Sequence, residues 1–246
     1  MNGLNIGVIG LGELGQQAAV QLLNKTAQNL YVYDPDARSC PLVVQRCETA
    51  VALLERCDIV ILALETAADL TALCNGVAPF LRRRHLLIDL TDISPALAHT
   101  IANGMRRYHV RYLECGIFGR NGLTDPFLLF VGGSSTAYAE ALPLLRCIAH
   151  DCRYMGPAGR GKAARLLCRW LAYKLEQTVE ETATLAKRFA LGESFPEALA
   201  DFVKIANPLA ELEGKNAAFS MRELEQDAEL MERMIRRADT MRSEID

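Results

Sequence analysis

What this chain lacks narrows it first. Its eight cysteines (Cys40, Cys47, Cys57, Cys74, Cys115, Cys147, Cys152 and Cys168) include no Cys-x-x-Cys pair, and its four histidines (His85, His99, His109 and His150) fall at no ligand spacing. No metal site is therefore expected. The cysteines are scattered through predicted strands and helices, where a free thiol acts as a small buried hydrophobe. A reduced, cytoplasmic protein follows as the expectation. No apolar run approaches the roughly 18–20 residues a membrane span needs; the longest is Ile59 to Leu64. No basic stretch with an apolar segment precedes the first strand pattern, so no signal peptide is expected. The net charge is −3, which gives no general electrostatic reason to expect nucleic acid or an anionic membrane as partner. The short clusters Arg82-Arg83-Arg84, Arg106-Arg107 and Arg236-Arg237 read as solvated faces.

What is present is ordinary globular material. Half of the 246 residues are hydrophobic and 23% are charged, enough for one large domain or two modest ones. Through the first two-thirds, short apolar runs alternate with amphipathic stretches. Strands are predicted at Leu4–Ile9, Leu30–Tyr33, Asp58–Leu64, His85–Leu90, Arg111–Cys115, Phe127–Val131 and Arg153–Met155. Helices are predicted at Glu13–Lys25, Glu48–Arg56, Leu70–Leu81, Pro95–Arg107 and Ala137–His150. Strands apolar on both faces that alternate with helices imply a mostly parallel, doubly wound sheet. After Gly161 only helical spacing remains: a long helix over Ala163–Ala190, then Pro196–Ile205 and Ser220–Arg242. The expected organisation is α/β, a Rossmann domain over 1–158 and a shortened all-helical domain over 159–246, with the boundary in the Gly156–Gly161 turn.

Gly10-Leu11-Gly12-Glu13-Leu14-Gly15 directly follows the first strand and opens the first helix. In that context each glycine serves a distinct purpose. Gly10 allows the tight turn, Gly12 lets backbone approach a pyrophosphate, and Gly15 lets helix and strand pack closely. The helix start offers unpaired amides and a positive dipole end to the phosphates. Asp34 ends the second strand where a ribose-binding acid is expected. Its carboxylate would accept from the ribose hydroxyls and repel a 2′-phosphate, which favours NAD over NADP, while Arg38 nearby weighs the other way. Nothing later in the chain has the look of a flavin-binding second half.

From here the sequence resembles the β-hydroxyacid dehydrogenase family, which includes 3-hydroxyisobutyrate and 6-phosphogluconate dehydrogenases, with the related imine reductases sharing its architecture. Gly10 to Gly15 resembles the family's Gly-Leu-Gly-x-Met-Gly, with Leu14 for the Met. Ile88-Asp89-Leu90-Thr91-Asp92-Ile93-Ser94-Pro95 is similar to its Ile-Asp-Met-Ser-Thr-Ile-Ser-Pro segment. Gly132-Gly133, Pro143-Leu144-Leu145, Gly156-Pro157-Ala158-Gly159-Arg160-Gly161 and the stretch from Phe219 to Asp227 extend the likeness over nearly the whole chain. The resemblance implies a Rossmann domain followed by helices, with substrate in a cleft between them and dimers or tetramers formed through the helices. It implies Thr91 near the nicotinamide, with a helix N-cap or turn role before Pro95 as the plainer alternative. Leu64, Glu65 and Thr66 would line the adenosine ribose and pyrophosphate side.

The chain departs from the family's pattern at the reacting end. Glu114-Cys115-Gly116-Ile117-Phe118-Gly119-Arg120 stands where the family has Asp-Ala-Pro-Val-Ser-Gly-Gly. Phe118 replaces a substrate-binding serine beside Gly119. Arg120 replaces a glycine and either binds an anionic group or points into solvent. Arg165 occupies the position of the family's catalytic lysine and Cys168 that of its asparagine. Arginine can stabilise an oxyanion or bind an acid but does not release a proton near neutral pH. Lys162 and Arg169 are near neighbours on that helical face. Lys162 reads as a charge on the first exposed turn, with a displaced proton donor as the alternative; Tyr173 is a further, weaker one. Gln226 replaces a second lysine beside Asp227.

The candidate catalytic residues are thus Arg165 and Lys162, and the candidate substrate residues are Phe118, Gly119, Arg120, Cys168 and Arg169. The expected function is an NAD(P)-dependent oxidoreductase of altered chemistry, moving hydride to or from a small carbonyl or imine substrate. The alternative is a catalytically inactive NAD(H)-binding homologue serving as sensor or complex subunit. The long helix carries apolar residues on more than one face, so pairing with a second copy through the helical part is expected.

Overall fold

A computed structural model describes residues 4–26, 29–34, 44–119, 127–206, 228–229, 231–233 and 236. The chain alternates strand and helix: β1 (Asn5–Ile9), α1 (Glu13–Lys25), β2 (Asn29–Tyr33), β3 (Gln45–Arg46), α2 (Ala50–Arg56), β4 (Ile59–Leu62), α3 (Ala67–Val77), β5 (Leu86–Asp89) and α4 (Pro95–Arg107). It continues through β6 (Arg111–Phe118), β7 (Leu128–Gly133), α5 (Ser135–Ile148), β8 (Asp151–Gly156), α6 (Arg160–Arg188) and α7 (Phe195–Ala206).

The eight strands form one sheet in the order β3-β2-β1-β4-β5-β6-β7-β8. All neighbours run parallel except β6 and β7, which pair antiparallel from Leu113↔Gly133 to Phe118↔Leu128. Alternation along the strands divides the core in two. Ile6, Val8, Ile59 and Ile61 face the layer of α1 and α5, with Ala18, Leu22, Ala141 and Leu145. Ile9, Val60 and Leu62 face the layer of α2, α3 and α4, with Leu53, Leu70 and Ile101. Because both faces are covered, β4 and β5 are buried along their whole lengths, which is why β4 reads as an unbroken apolar run and β5 departs from one only at the hydrogen-bonded Asp89. Each fully buried Leu or Ile side chain adds about 1.5–3 kcal/mol of transfer free energy.

Thr49, Thr66, Ser94 and Ser134 cap α2, α3, α4 and α5, each accepting an amide hydrogen from the third helical residue. The cap of α4 is thus Ser94, not Thr91. At α1 the cap position is Gly12, with no side-chain bond to the helix start. The strand order reverses between β1 and β4, so the crevice at their carboxyl ends is the switch point where ligands bind in open α/β sheets.

By backbone contact the chain divides into a unit Met1–Lys174 and a unit Leu175–Asp246. The strands end at Gly156, as the sequence implies, but the first unit continues to Lys174 because the first turn of α6 lies on the sheet. A Cβ on Gly161 would stand 2.3 Å from the Phe130 carbonyl oxygen, so only glycine allows that approach. In the second unit, the rest of α6 ends at Arg188 and a turn with Ala190 at φ 50° leads to α7. The helix expected at Ser220–Arg242 falls largely outside the described residues. Among the described residues no helix is long and apolar enough to cross a membrane.

Candidate functional site

At the end of β1 the chain turns at Gly10, whose φ of +94° and whose approach to Ala63 both require glycine; a Cβ there would meet the Ala63 carbonyl oxygen at 2.3 Å. Gly15 is equally confined, since its Cβ would stand 1.8 Å from the Gly10 carbonyl oxygen. The turn is tied to β2 by the Gly10 amide donating to the Tyr33 carbonyl (3.0 Å). It is tied again by the Leu11 amide donating to Asp34 Oδ2 (2.5 Å). Asp34 is nearly buried at 7% exposure. Gly10, Gly12, Tyr33, Asp34, Ala63, Leu64, Glu65 and neighbours on α3 enclose a cavity of about 240 Å³. A sharp glycine turn, an uncapped helix start and a held carboxylate form the donor and acceptor set that a dinucleotide's pyrophosphate and ribose need. The residues present fit such a group.

A second cavity, of about 270 Å³, shares Leu64 and Glu65 with the first and is completed by Leu14, Leu90, Asp92, Cys115, Ile117, Gly119, Lys162 and Arg165. Lys162 is not on an exposed turn: it is 2% exposed. Its Nζ donates to the carbonyl oxygens of Thr91 (2.6 Å) and Cys115 (2.7 Å). Arg165 donates from Nε to the Ile117 carbonyl (3.0 Å) and from both terminal nitrogens to the Asp92 carboxylate (2.7 and 2.8 Å). That two-pronged contact engages the guanidinium edge a carboxylate would otherwise take.

Behind the second cavity lie two buried acids. Asp89 accepts from the Thr91 amide (2.9 Å) and from the Tyr112 hydroxyl (2.6 Å). Burial pushes its carboxyl up, against the pull of the Lys162 charge and its hydrogen bonds to Tyr112 and Thr91. The same burial, with the Asp89 charge beside it, raises the Tyr112 phenol well above its ordinary value. Glu114 accepts from the amides of Gly159 (2.9 Å), Gly161 (2.7 Å) and Lys162 (2.9 Å), fastening the start of α6 to β6. Burial outweighs the Lys162 charge and these three donors, and lifts the Glu114 carboxyl from 4.5 to about 7. Thr91 links the cavities: its Oγ1 accepts from the Leu64 amide (3.1 Å), while its own carbonyl holds Lys162.

The residues expected from sequence divide accordingly. Gly10, Gly12, Asp34, Leu64 and Glu65 line the first cavity; Leu14, Gly119, Lys162 and Arg165 line the second, which Leu64 and Glu65 also border. Leu11 is buried, and Glu13 is exposed, accepting from Gln17 (3.1 Å). Thr66 exchanges hydrogen bonds with Asp69 as the cap of α3. Phe118 packs at a tilt on Phe130, ring centres 6.4 Å apart, while its neighbours Ile117 and Gly119 face the second cavity. Cys168 and Arg169 lie further along α6 and are not among the residues lining that cavity. Arg38, Arg120, Gln226 and Asp227 lie outside the described residues. Asp92 and Glu114 were given no role by the sequence. An acid gained at 92 together with an arginine at 165 was the available signal.

The family model for the NAD binding domain of 6-phosphogluconate dehydrogenase matches residues 5–156. Human mitochondrial 3-hydroxyisobutyrate dehydrogenase is 28% identical over 170 residues, 65% of this chain and 50% of that protein. The chain's matches span from half to about three-fifths of the length of its curated relatives. Among solved structures, Mycobacterium tuberculosis 3-hydroxyisobutyrate dehydrogenase with L-serine aligns with a TM-score of 0.74 at 22% identity, covering 81% of this chain and 69% of that one. A Myxococcus stipitatus imine reductase variant in complex with NAD+ aligns at 0.72 and 20% identity, covering 85% and 73%. The same organism's imine reductase in complex with NADP+ aligns at 0.63 and 22%, covering 84% and 73%. With the glycine turn, Asp34 and the sheet order already in place, the match over more than half of the chain means that this protein belongs to the β-hydroxyacid dehydrogenase superfamily and carries its NAD binding domain.

Proposed function

We propose that the protein is an NAD(P)-dependent oxidoreductase, with NAD(H) preferred, that moves a hydride to or from a small carbonyl or imine substrate in the second cavity. The observation that carries this is that the two cavities are neighbours, sharing Leu64 and Glu65 in their walls. Gly10 to Gly12 would hold a dinucleotide's phosphates and Asp34 one ribose, with Leu64 and Glu65 bordering the way to the second cavity. When bound there, the nicotinamide would supply the hydride chemistry. The walls Leu14, Leu64, Leu90 and Ile117 exclude water from the reacting carbon, and Lys162 and Arg165 are the two cations among the described lining residues. Similarity to relatives that include 3-hydroxyisobutyrate dehydrogenase and imine reductases supports the reaction type.

We also infer pairing of two copies through α6. Leu166, Leu167, Trp170, Leu171 and Tyr173 are 41–68% exposed along it, more apolar surface than one helix ordinarily shows to water. A second copy presents the same stripe, so a two-fold axis would bury both at once.

The test is titration with NADH and NADPH, followed by a panel of hydroxy acids, keto acids and cyclic imines read by cofactor absorbance. Saturable NADH binding with turnover supports the oxidoreductase. Saturable binding without turnover on any member supports instead a sensor or complex subunit. No binding of either cofactor overturns both.

A further inference from the structure

The second cavity holds two cations, and the structure separates their roles. Three of the five Arg165 donors are engaged by Ile117 and Asp92, and a guanidinium does not give up a proton near neutral pH. Lys162 differs in that an ammonium can release a proton, and it is the more deeply buried of the two. An ammonium has three N–H donors, and two are bound to the Thr91 and Cys115 carbonyls. Among the described residues the third has no partner, although Lys162 is 2% exposed and forms part of the cavity wall. A buried charge keeps a donor unpaired only at a cost, so a vacant donor on a cavity wall marks where a ligand acceptor belongs. The carbonyls that hold Nζ belong to Cys115 within β6 and to Thr91 just past β5, so the ammonium is aimed by backbone, not by mobile side chains.

We propose that Lys162 is the catalytic residue that exchanges a proton with the substrate beside the nicotinamide, one helical turn before Arg165. In the reducing direction the substrate carbon gains the hydride from the reduced nicotinamide. Its oxygen or nitrogen takes the proton from Nζ as that N–H bond breaks. The products are the alcohol or amine, the oxidised cofactor and a neutral lysine amine, which water reprotonates. Oxidation runs the same transfers backwards. This assignment rests on the oxidoreductase reading, and it needs Nζ within reach of the ring.

That proximity has a readout independent of any substrate. The oxidised nicotinamide ring is positively charged and the reduced ring is not, so an adjacent ammonium disfavours NAD+ and leaves NADH nearly unaffected. Removing the ammonium charge removes the penalty. Other titratable or charged groups face Nζ: Asp89 on β5 with its partner Tyr112, Glu114 and Cys115 on β6, and Asp92, Glu65 and Arg165 at the cavity rim. The comparison with Lys162 variants subtracts their contribution.

The experiment measures the dissociation constants of both cofactors, and turnover, in the wild-type protein, Lys162→Met and Lys162→Arg. The ratio of the NAD+ constant to the NADH constant is expected to fall by about tenfold in Lys162→Met, which removes the charge, and to stay near the wild-type value in Lys162→Arg, which keeps it, while both variants lose turnover. An unchanged ratio in folded Lys162→Met, or turnover retained in either folded variant, overturns the proposal. A wild-type ratio at or below one overturns it even if neither variant folds. Failure to bind either cofactor overturns the oxidoreductase reading itself, so the two failures are distinguishable.

Discussion

Asp34 meets the Leu11 amide within the glycine turn, so one carboxylate both braces the turn and faces the cavity beside it. Asp34→Asn keeps an acceptor for that amide and removes the negative charge. The preference for NAD+ over NADP+ is expected to drop by about tenfold or more, the effect of roughly 1.4 kcal/mol. Paired titrations of both cofactors check it, and a wild-type protein that already prefers NADP+ overturns the cofactor assignment. Asp34 and the glycines were legible because their roles depend on spacing along a short stretch of chain. Lys162 was not. Helical spacing put it on a first turn, but its burial is set by the Thr91 and Cys115 carbonyls, 71 and 47 residues away. The Arg165–Asp92 contact, spanning 73 residues, was hidden for the same reason.

At the scale of elements, α6 starts where it does because Glu114 accepts from the Gly159 amide just before it and from two of its leading amides. The alternation of β6 and the helical period of α6 were each readable, but not that one would cap the other. Burial holds the folded-state carboxyl at about 7, above its ordinary 4.5, so the folded chain binds the extra proton between those values. The resulting stability is full below pH 4.5 and is lost as pH rises through about 7. A window of this width is worth on the order of 3 kcal/mol. Glu114→Gln does not titrate, so its denaturation free energy should lack this fall. Asp89 titrates in the same direction in both proteins and cancels in the difference. Parallel profiles for the two would remove Glu114 from the pH dependence.

For the whole molecule, a mostly parallel sheet with both faces covered followed from apolar strands set between amphipathic helices, while the strand order, with the short β3 at its edge, came only with the structure. The apolar excess of α6 was visible as well, since Leu166, Leu167, Trp170 and Leu171 crowd more than one helical face. What spacing along the chain does not reveal is which of those faces rests on the sheet. The described structure leaves Trp170, the only tryptophan of the chain, 61% exposed. Pairing through α6 should bury it. Light scattering at micromolar concentration is expected to give twice the chain mass, with tryptophan emission shifting to the red as dilution separates the copies. A clean monomer at that concentration overturns the pairing.

The bonds through Thr91 have a mechanical meaning. Leu64 hangs from the Thr91 hydroxyl, Lys162 from its carbonyl, and the start of α6 from Glu114 on the strand next door. The wall shared by the two cavities and the amine beyond it are thus parts of one stiff truss. Widening the second cavity to admit a bulkier molecule would push on the same members that shape the first. The Ile117 side belongs to the same truss, since its carbonyl accepts from Arg165 on α6, so a bulkier substrate meets resistance there as well.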